Sequence, residues 1–143
     1  MITATFQAII DKLEADATLL TYLGGAYVFR GKATRAMQVP SITLTTNTEK
    51  ATHRAGYNSN RVRDLYPTLQ VDVWVSSEDA AFPCTGEDAD TIENRVDAVL
   101  MSSSPVSGTI LWQKISASQQ YEQDTRIWHN AIRYSFRYTT TDT

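Results

Sequence analysis

Apolar residues recur every three or four positions near the start of the chain. Between residues 5 and 23 these positions are Phe6, Ile9, Ile10, Leu13, Ala17, Leu20 and Leu23. The spacing places them on one side of an α-helix and predicts a single amphipathic helix over residues 5–23. Gly24 and Gly25 follow and predict its end, because glycine readily adopts the left-handed backbone that terminates many helices.

Further along, the helical spacing gives way to an alternation of apolar and polar residues. Short strands are predicted at residues 27–29 and, after Pro40, at residues 41–46. The clearest alternation follows Pro67, with an apolar face formed by Leu69, Val71, Val73 and Val75. Two final strands are predicted at residues 109–118 and 126–139. A hairpin is the natural connection between them.

A second helix is predicted between these strands, starting near Thr85. Thr85 and Asp88 have the spacing of a capping box, and acidic residues in the first turn favour the positive end of the helix dipole. The predicted buried stripe is Ala89, Ile92, Val96, Val99 and Leu100. Two helices separated by strands predict an α+β fold: an antiparallel or mixed sheet of about four to five strands with both helices on one face.

The length of 143 residues suits a single domain spanning residues 1–143. No apolar run approaches the about 20 residues that cross a bilayer, and the first residues lack a secretory pattern, so we expect no membrane association and synthesis in the cytoplasm. The single cysteine, Cys84, cannot form a disulfide within the chain. We therefore expect stability to come from packing or from partners.

Regular periodicity is lost over residues 46–66, which are rich in threonine, asparagine and basic side chains. Structureless loops of more than about 12 to 15 residues are uncommon in compact domains and tend to be functional. We interpret this segment as a long projecting loop or hairpin that forms a working surface. The alternative is a hairpin whose tip is merely mobile.

Residues that carry chemistry are sparse. His53 and His129 lack neighbours at the spacing of a zinc site, and Cys84 has no nearby histidine in sequence. No glycine-rich phosphate loop is present, and the acids of the second helix have the spacing of a solvated face. We therefore predict no catalytic residues, no cofactor and no metal, and hence a protein that is not an enzyme.

Charge is distributed unevenly, although the whole chain has a net charge of only −3. Seven basic residues against Glu49 give residues 30–63 a net charge of +6, and seven acidic residues against Arg95 give residues 78–97 a net charge of −6. Regions of opposite sign favour head-to-tail contact between identical copies, which closes into a ring if the rotation allows. The alternative is neutralisation within one chain.

Exposed aromatic and charged residues are the candidates for such a contact, because they contribute disproportionately to interface energy. Trp74 is the sharpest example, since it lies on the polar side of its strand; a partly covered tryptophan is the alternative. The full set of predicted interface residues is Arg30, Lys50, Arg54, Arg61, Arg63, Asp72, Trp74, Glu87, Asp88 and Glu93. Nucleic-acid binding is the competing interpretation of the basic stretch, but the net acidity of the chain counts against it.

Several short segments resemble a known family, in the order in which that family carries them. They are Leu-Gly-Gly at 23–25, Tyr-Val-Phe at 27–29, Pro-Ser-Ile-Thr-Leu at 40–44, Leu-Gln-Val-Asp-Val-Trp at 69–74, Ile-Glu-Asn-Arg-Val-Asp at 92–97 and Arg-Tyr-Ser-Phe-Arg-Tyr at 133–138. The chain is similar in these segments to the tail-terminator and tail-completion proteins of tailed bacteriophages. Together the segments extend over most of the chain.

The resemblance implies a structural virion protein. It implies an α+β subunit assembled as a ring, commonly a hexamer, that caps the tail tube and joins it to the neck on the head side. The implied partners are further copies of the chain, the tail tube protein and a neck or connector protein, with DNA only passing through the lumen. The alternatives are another neck or head-tail connector protein or, in a different class, a nucleic-acid-binding module.

Overall fold

The secondary structure alternates between helices and strands along the chain. The computed structural model describes residues 2–31, 40–53, 61–76, 85–102 and 109–142. The helices are α1 (Ile2–Glu14), α2 (Ala17–Leu23) and α3 (Gly86–Ser102). The strands are β1 (Val28–Arg30), β2 (Ser41–His53), β3 (Arg61–Ser76), β4 (Thr109–Glu122) and β5 (Ile127–Asp142). None of the described helices is long and apolar enough to cross a membrane.

The strands form one five-stranded sheet in the order β1-β2-β3-β5-β4. Strand β1 pairs with β2 in parallel, and the other neighbours are antiparallel, so the sheet is mixed. The predicted α+β class is therefore confirmed. The hairpin expected between the last two strands is also present, because β4 and β5 pair on either side of a turn at residues 123–126.

The first predicted helix is in fact two helices, which corrects the expected count of two helices to three described ones. The chain breaks at Ala15 and Asp16, where the Asp16 carboxylate accepts a hydrogen bond from the Leu19 amide at 2.9 Å and caps the start of α2. The break shifts the helical phase, so Leu19 is fully buried while Leu20, which the unbroken pattern favoured, is only half-buried. Gly24 ends α2 in the left-handed conformation, with φ of 77°.

The core lies between the helices and one face of the sheet. Every residue of the predicted α3 stripe is buried, and so are the four predicted positions of β3. The capping box is present: the Thr85 hydroxyl accepts from the Asp88 amide at 3.1 Å, and the Asp88 carboxylate accepts from the Thr85 amide at 3.1 Å. The remaining members of the core are Ile9, Leu13, Leu19, Leu23, Val28, Ile42, Leu44, Ile132 and Tyr134.

Strands β2 and β3 run through most of residues 46–66, where the sequence shows no regular periodicity. Their antiparallel register continues through Lys50 opposite Tyr66 to His53 opposite Arg63, with a bulge between Thr46 and Thr48. Strand pairing uses backbone C=O groups, which every residue supplies, and N–H groups, which every residue but proline supplies, so it can continue where side-chain alternation stops. Residues 54–60, including Arg54, lie outside the described part of the chain.

Candidate functional site

A cluster of polar and aromatic side chains lies on the face of the sheet opposite the helices. Thr43 of β2 is opposite Asp72 of β3, and Trp74 of β3 is opposite His129 of β5. Because side chains alternate along each strand, these residues share one face of the three central strands. We call Thr43, Gln70, Asp72, Trp74 and His129 the polar-face cluster.

Hydrogen bonds and stacking connect all five members of the polar-face cluster. His129 Nε2 lies 2.6 Å from Asp72 Oδ1, and the Gln70 amide donates to both oxygens of the same carboxylate at 2.9 and 3.2 Å. The Trp74 indole N–H donates to the Thr43 hydroxyl at 3.0 Å. The Trp74 and His129 rings stack, with centroids 3.9 Å apart and planes 5° from parallel. The cluster therefore joins β2, β3 and β5 through side chains as well as through the backbone.

The polar-face cluster is more buried than its position on a polar face predicted. Asp72 is 5% exposed and Thr43 is 1% exposed, whereas Trp74 stays half-buried. Of the two interpretations of Trp74, the structure shows that cross-strand neighbours partly cover it. Its outward surface keeps the interface assignment open as a prediction.

A second polar site lies where α3 packs against β4 and β5. The buried Asn130 amide donates to Asp90 at 2.9 Å and to Glu93 at 3.4 Å, and the Gln119 amide donates to Asp90 at 3.0 Å. Tyr134, also buried, donates its hydroxyl to Asp97 at 3.0 Å. The sequence interpretation of these acids as a solvated face is thus wrong for Glu93 and Asp97, which are partly buried, whereas Asp90 remains exposed. Their side chains reach over the sheet and bond to it.

Burial changes the proton affinity of two groups at this junction. Loss of solvent raises the pKa of Glu93, and the negative charge of nearby Asp90 adds to this effect, while Lys114, whose Nζ is 3.9 Å from Glu93 Oε2, opposes it. Burial, together with the Asp97 carboxylate, also raises the pKa of Tyr134 far above its ordinary value. Tyr134 consequently remains a neutral hydrogen-bond donor.

Arg95, the one basic residue of the acidic segment, joins α3 to the break between α1 and α2. Its guanidinium donates from Nε and Nη2 to the two oxygens of Asp16, at 2.8 and 2.5 Å. The hydrogen bond from Arg95 lowers the pKa of Asp16, and the same bond raises the pKa of Arg95. Asp16 therefore caps α2 and anchors α3 at once.

The remaining predicted interface residues lie towards opposite ends of the sheet. Glu87 and Asp88 are in the first turn of α3. This turn packs on the start of β5, because a Cβ on Gly86 would lie only 3.0 Å from the Trp128 ring. Trp128 is opposite Val75, near the end of β3. Arg61 and Arg63 are at the other end of β3, and Lys50 is nearby on β2. At about 3.3 Å per residue, Arg63 and Val75 are about 40 Å apart along the strand.

Exposure differs among Arg30, Glu87 and Asp88, three further predicted interface residues. Arg30 is exposed at the end of β1. Glu87 is exposed, whereas Asp88 is partly buried and forms the capping box with Thr85. The structure therefore gathers Asp72 and Trp74 into one cluster and places Glu93 in another. It separates the basic strand positions from the first turn of α3, where Glu87 and Asp88 lie.

Comparison with known proteins decides the family. The family model described as "Tail completion protein gp17" matches residues 7–139, which is nearly the whole chain. The chain belongs to the tail completion protein gp17 family. The resemblance inferred from the short sequence segments is thereby confirmed.

A solved structure supports the same fold for this tail completion family member. A chain of "Virion of native gene transfer agent (GTA) particle" superimposes with a TM-score of 0.68 and 14% identity, covering 94% of each chain. At that identity the likeness concerns the fold alone. A search of curated proteins returns no match. Family membership identifies the chain as a structural protein of the phage tail.

The hydrogen bonds of the polar-face cluster do not link a nucleophile to a base. The Asp72–His129 pair could orient a base, but the Thr43 hydroxyl oxygen accepts from Trp74 and is not bonded to His129. Within the described ranges, no group of three or more histidine, cysteine or acidic residues could hold a metal ion. Cys84 lies outside those ranges.

Sequence reasoning missed several members of these sites. His129 was considered as a zinc ligand or as a partner of Cys84, not as a partner of Asp72, and Asn130, Thr43, Gln119 and Asp16 were not singled out. Asp16 carried a usable signal, because an aspartate three residues before Leu19 has the spacing of an N-cap. The others depend on strand register, which brings together residues that are far apart in sequence.

Proposed function

We propose that this protein is the tail terminator: identical subunits form a closed ring, of six copies, that caps the completed tail tube and joins it to the neck at the head-proximal end of the virion. Membership of the tail completion family supports a role in finishing the tail. In this proposal the subunits contact each other, the tail tube protein and a neck protein, and DNA only passes through the lumen.

The ring is inferred from the separation of acidic and basic side chains along the sheet. The acidic first turn of α3 and the basic positions of the β2–β3 hairpin lie at opposite ends, about 40 Å apart by strand rise. At physiological salt the Debye length is only about 8 Å, so these groups cannot neutralise each other within one subunit. The acidic end of one copy can instead meet the basic end of the next, which is a head-to-tail contact.

Trp74 supplies the apolar part of a contact in this proposal. Its indole is held by the Thr43 bond and the His129 stack, so little side-chain freedom remains to be lost on binding. A rigid, partly exposed tryptophan is typical of residues that dominate interface energies. We propose that the outer surface of the polar-face cluster contacts a neighbouring subunit or the tube end.

The test combines mass with a charge reversal. Light scattering of the full chain across concentration should give a discrete oligomer whose mass is a multiple of 16.0 kDa. The variant Glu87→Lys should weaken that oligomer, and added salt should weaken the wild-type oligomer too, because the contact is electrostatic. The matched control is Asp11→Lys, which makes the same charge change on the exposed side of α1 and should leave the mass unchanged.

Binding to tails completes the experiment. Tails assembled without this protein should bind it at one end, as seen by electron microscopy with a labelled chain. Monomeric mass at every concentration together with no binding to tail ends would overturn the proposal. Binding to DNA-filled heads but not to tail tubes would favour the alternative of a neck or connector protein. Binding to free DNA that weakens with salt would favour the nucleic-acid module.

A further inference from the structure

Strand β4 forms an exposed edge of the sheet. It pairs with β5 on one side, and every described side chain from Gln113 to Glu122 is exposed except that of Lys114, which is half-buried. The exposed chains include two large apolar ones: Ile115 is 54% exposed and Tyr121 is 40% exposed. The described helices and strands therefore leave most of this strand exposed, although Gln119 and Lys114 reach towards α3.

Such an edge can pair with a further strand, because its outward-pointing N–H and C=O groups can form backbone hydrogen bonds with that strand. Proteins usually protect long edges with proline, central lysines, bulges or short strands. β4 has bulges between Thr109 and Leu111 and between Lys114 and Ser116, but its register with β5 is regular from Ser116 to Glu122. That regular stretch, Ser-Ala-Ser-Gln-Gln-Tyr-Glu, contains no proline and a single charge at its end. The other edge strand, β1, is only three residues long.

We propose that β4 pairs with β4 of a second copy of this chain, antiparallel, about a two-fold axis at Ser118. In this register Ser116 is opposite Gln120 and Ala117 is opposite Gln119, so small or neutral polar side chains meet in the middle. The exposed Ile115 of each copy comes to the end where the partner's Tyr121 lies. The two large apolar side chains that the single chain exposes therefore lie at the ends of the shared ladder.

Charge selects this orientation over a parallel one. Lys114 and Glu122 lie at opposite ends of the segment 114–122 and are its only charged residues. Antiparallel pairing brings unlike charges together at both ends, whereas in-register parallel pairing places lysine beside lysine and glutamate beside glutamate. A single added ladder buries less than the about 1,200 Å² of a standard interface, so the dimer should be concentration-dependent.

This contact is independent of the proposed ring. A two-fold contact uses the same patch on both subunits and closes on itself, whereas a ring of six needs two different patches on each subunit. The β4 pair thus belongs to the free chain or joins two rings face to face. Either arrangement leaves the charged ends of the sheet for the ring.

Cysteine cross-linking tests the register directly. In a Cys84→Ala background, which removes the single natural thiol, Ser118→Cys should form a disulfide-linked dimer on mild oxidation, because directly opposite Cβ atoms are about 4.5 to 5.5 Å apart. Ser116→Cys alone should not cross-link, but mixed with Gln120→Cys it should give the mixed dimer. Thr91→Cys, exposed on α3, is the control for random collision and should stay monomeric on a denaturing gel.

Sedimentation of the full chain gives a second, chemistry-free readout. Ser118→Lys places two lysines opposite each other at the axis and should raise the dimer dissociation constant at least tenfold, with an unchanged melting temperature because Ser118 is exposed. Equal cross-linking of Ser118→Cys and Thr91→Cys would overturn the proposal, as would an unaffected dimer in Ser118→Lys. Either result leaves ring mass and tail binding untouched, so failure here is distinguishable from failure of the ring.

Discussion

The two faces of strand β3 bury their side chains by different means. On the helix side, Val71 and Val73 are fully buried by aliphatic neighbours from the helices and adjacent strands. On the polar face, Asp72 is 5% exposed with no described helix above it, and it is enclosed by hydrogen bonds from Gln70 and His129. One face therefore depends on buried apolar area and the other on directional bonds, and the two should respond differently to substitution.

The largest expected effect lies on the helix-covered face. Ile132→Ala should lower the free energy of unfolding by about 2 to 5 kcal/mol, because it removes buried methyl groups and leaves a cavity beneath the helices. Denaturant titration followed by circular dichroism measures the change. Its matched control is the next residue of β5, Arg133→Ala, which is exposed and should change stability by about 0.5 kcal/mol or less. Equal losses for both would contradict the contrast between the faces.

The polar face should be next in sensitivity. Asp72→Ala leaves the His129 ring and the Gln70 amide without their acceptor, which should cost about 1 to 3 kcal/mol. Asp72→Asn retains a carbonyl acceptor of the same shape and should recover part of that loss. The same denaturant titration measures both variants. If Asp72→Ala were as stable as wild type, the cluster would be a surface feature held for a partner and not a stabilising one.

A double-mutant cycle sharpens this second prediction. His129→Ala and Asp72→Ala should be less than additive when combined, because each removes the same 2.6 Å contact. Trp74→Ala should also weaken His129 packing, since the two rings stack. Additive losses would show that the two side chains stabilise the sheet separately.

The same contrast explains what the sequence could predict. Val71 and Ala89 were predicted correctly because burial under a helix or against a sheet leaves a local period in the sequence. Asp72 and His129 are 57 positions apart, and no local pattern shows that strand register places them side by side. The break at Asp16 was hidden for a related reason: the apolar spacing continues across it, although the capping side chain was there to be recognised.

Among the candidate interface residues, Glu87 and Glu93 also show that sequence spacing does not predict which side chains the fold buries. Both are acids of α3, so sequence spacing treats them alike. Glu87 is exposed, but Glu93 turns toward Asn130 and Lys114. Tertiary packing against β4 and β5 makes this difference, and family membership rather than any single residue identified the chain.

The third prediction concerns a polar contact within the helical layer. Asp16→Ala removes both the cap of α2 and the bond to Arg95 and should cost about 0.5 to 2 kcal/mol. Asp16→Asn keeps a capping oxygen and loses the charge, so it should cost less. Because Arg95 lowers the folded-state pKa of Asp16, the ion pair stabilises the fold above the unfolded pKa and loses this effect as pH falls through the folded pKa. The gap between wild type and Asp16→Asn should therefore narrow in acid, as followed by thermal unfolding.

The smallest expected effect has the opposite sign. Burial raises the folded-state pKa of Glu93, so its protonated form favours folding; this stabilisation is complete below the unfolded pKa and is lost as pH rises through the folded pKa. Glu93→Gln stays neutral and keeps an acceptor for Asn130, so it should be slightly more stable than wild type at pH 7, by under about 1 kcal/mol, with the difference closing in acid. Glu87→Gln, on the exposed side of the same helix, should show no such gain. A loss of stability in Glu93→Gln at pH 7 would mean that attraction to Lys114 outweighs burial, and this edge of the helix-covered face would then depend on directional pairing as the polar face does.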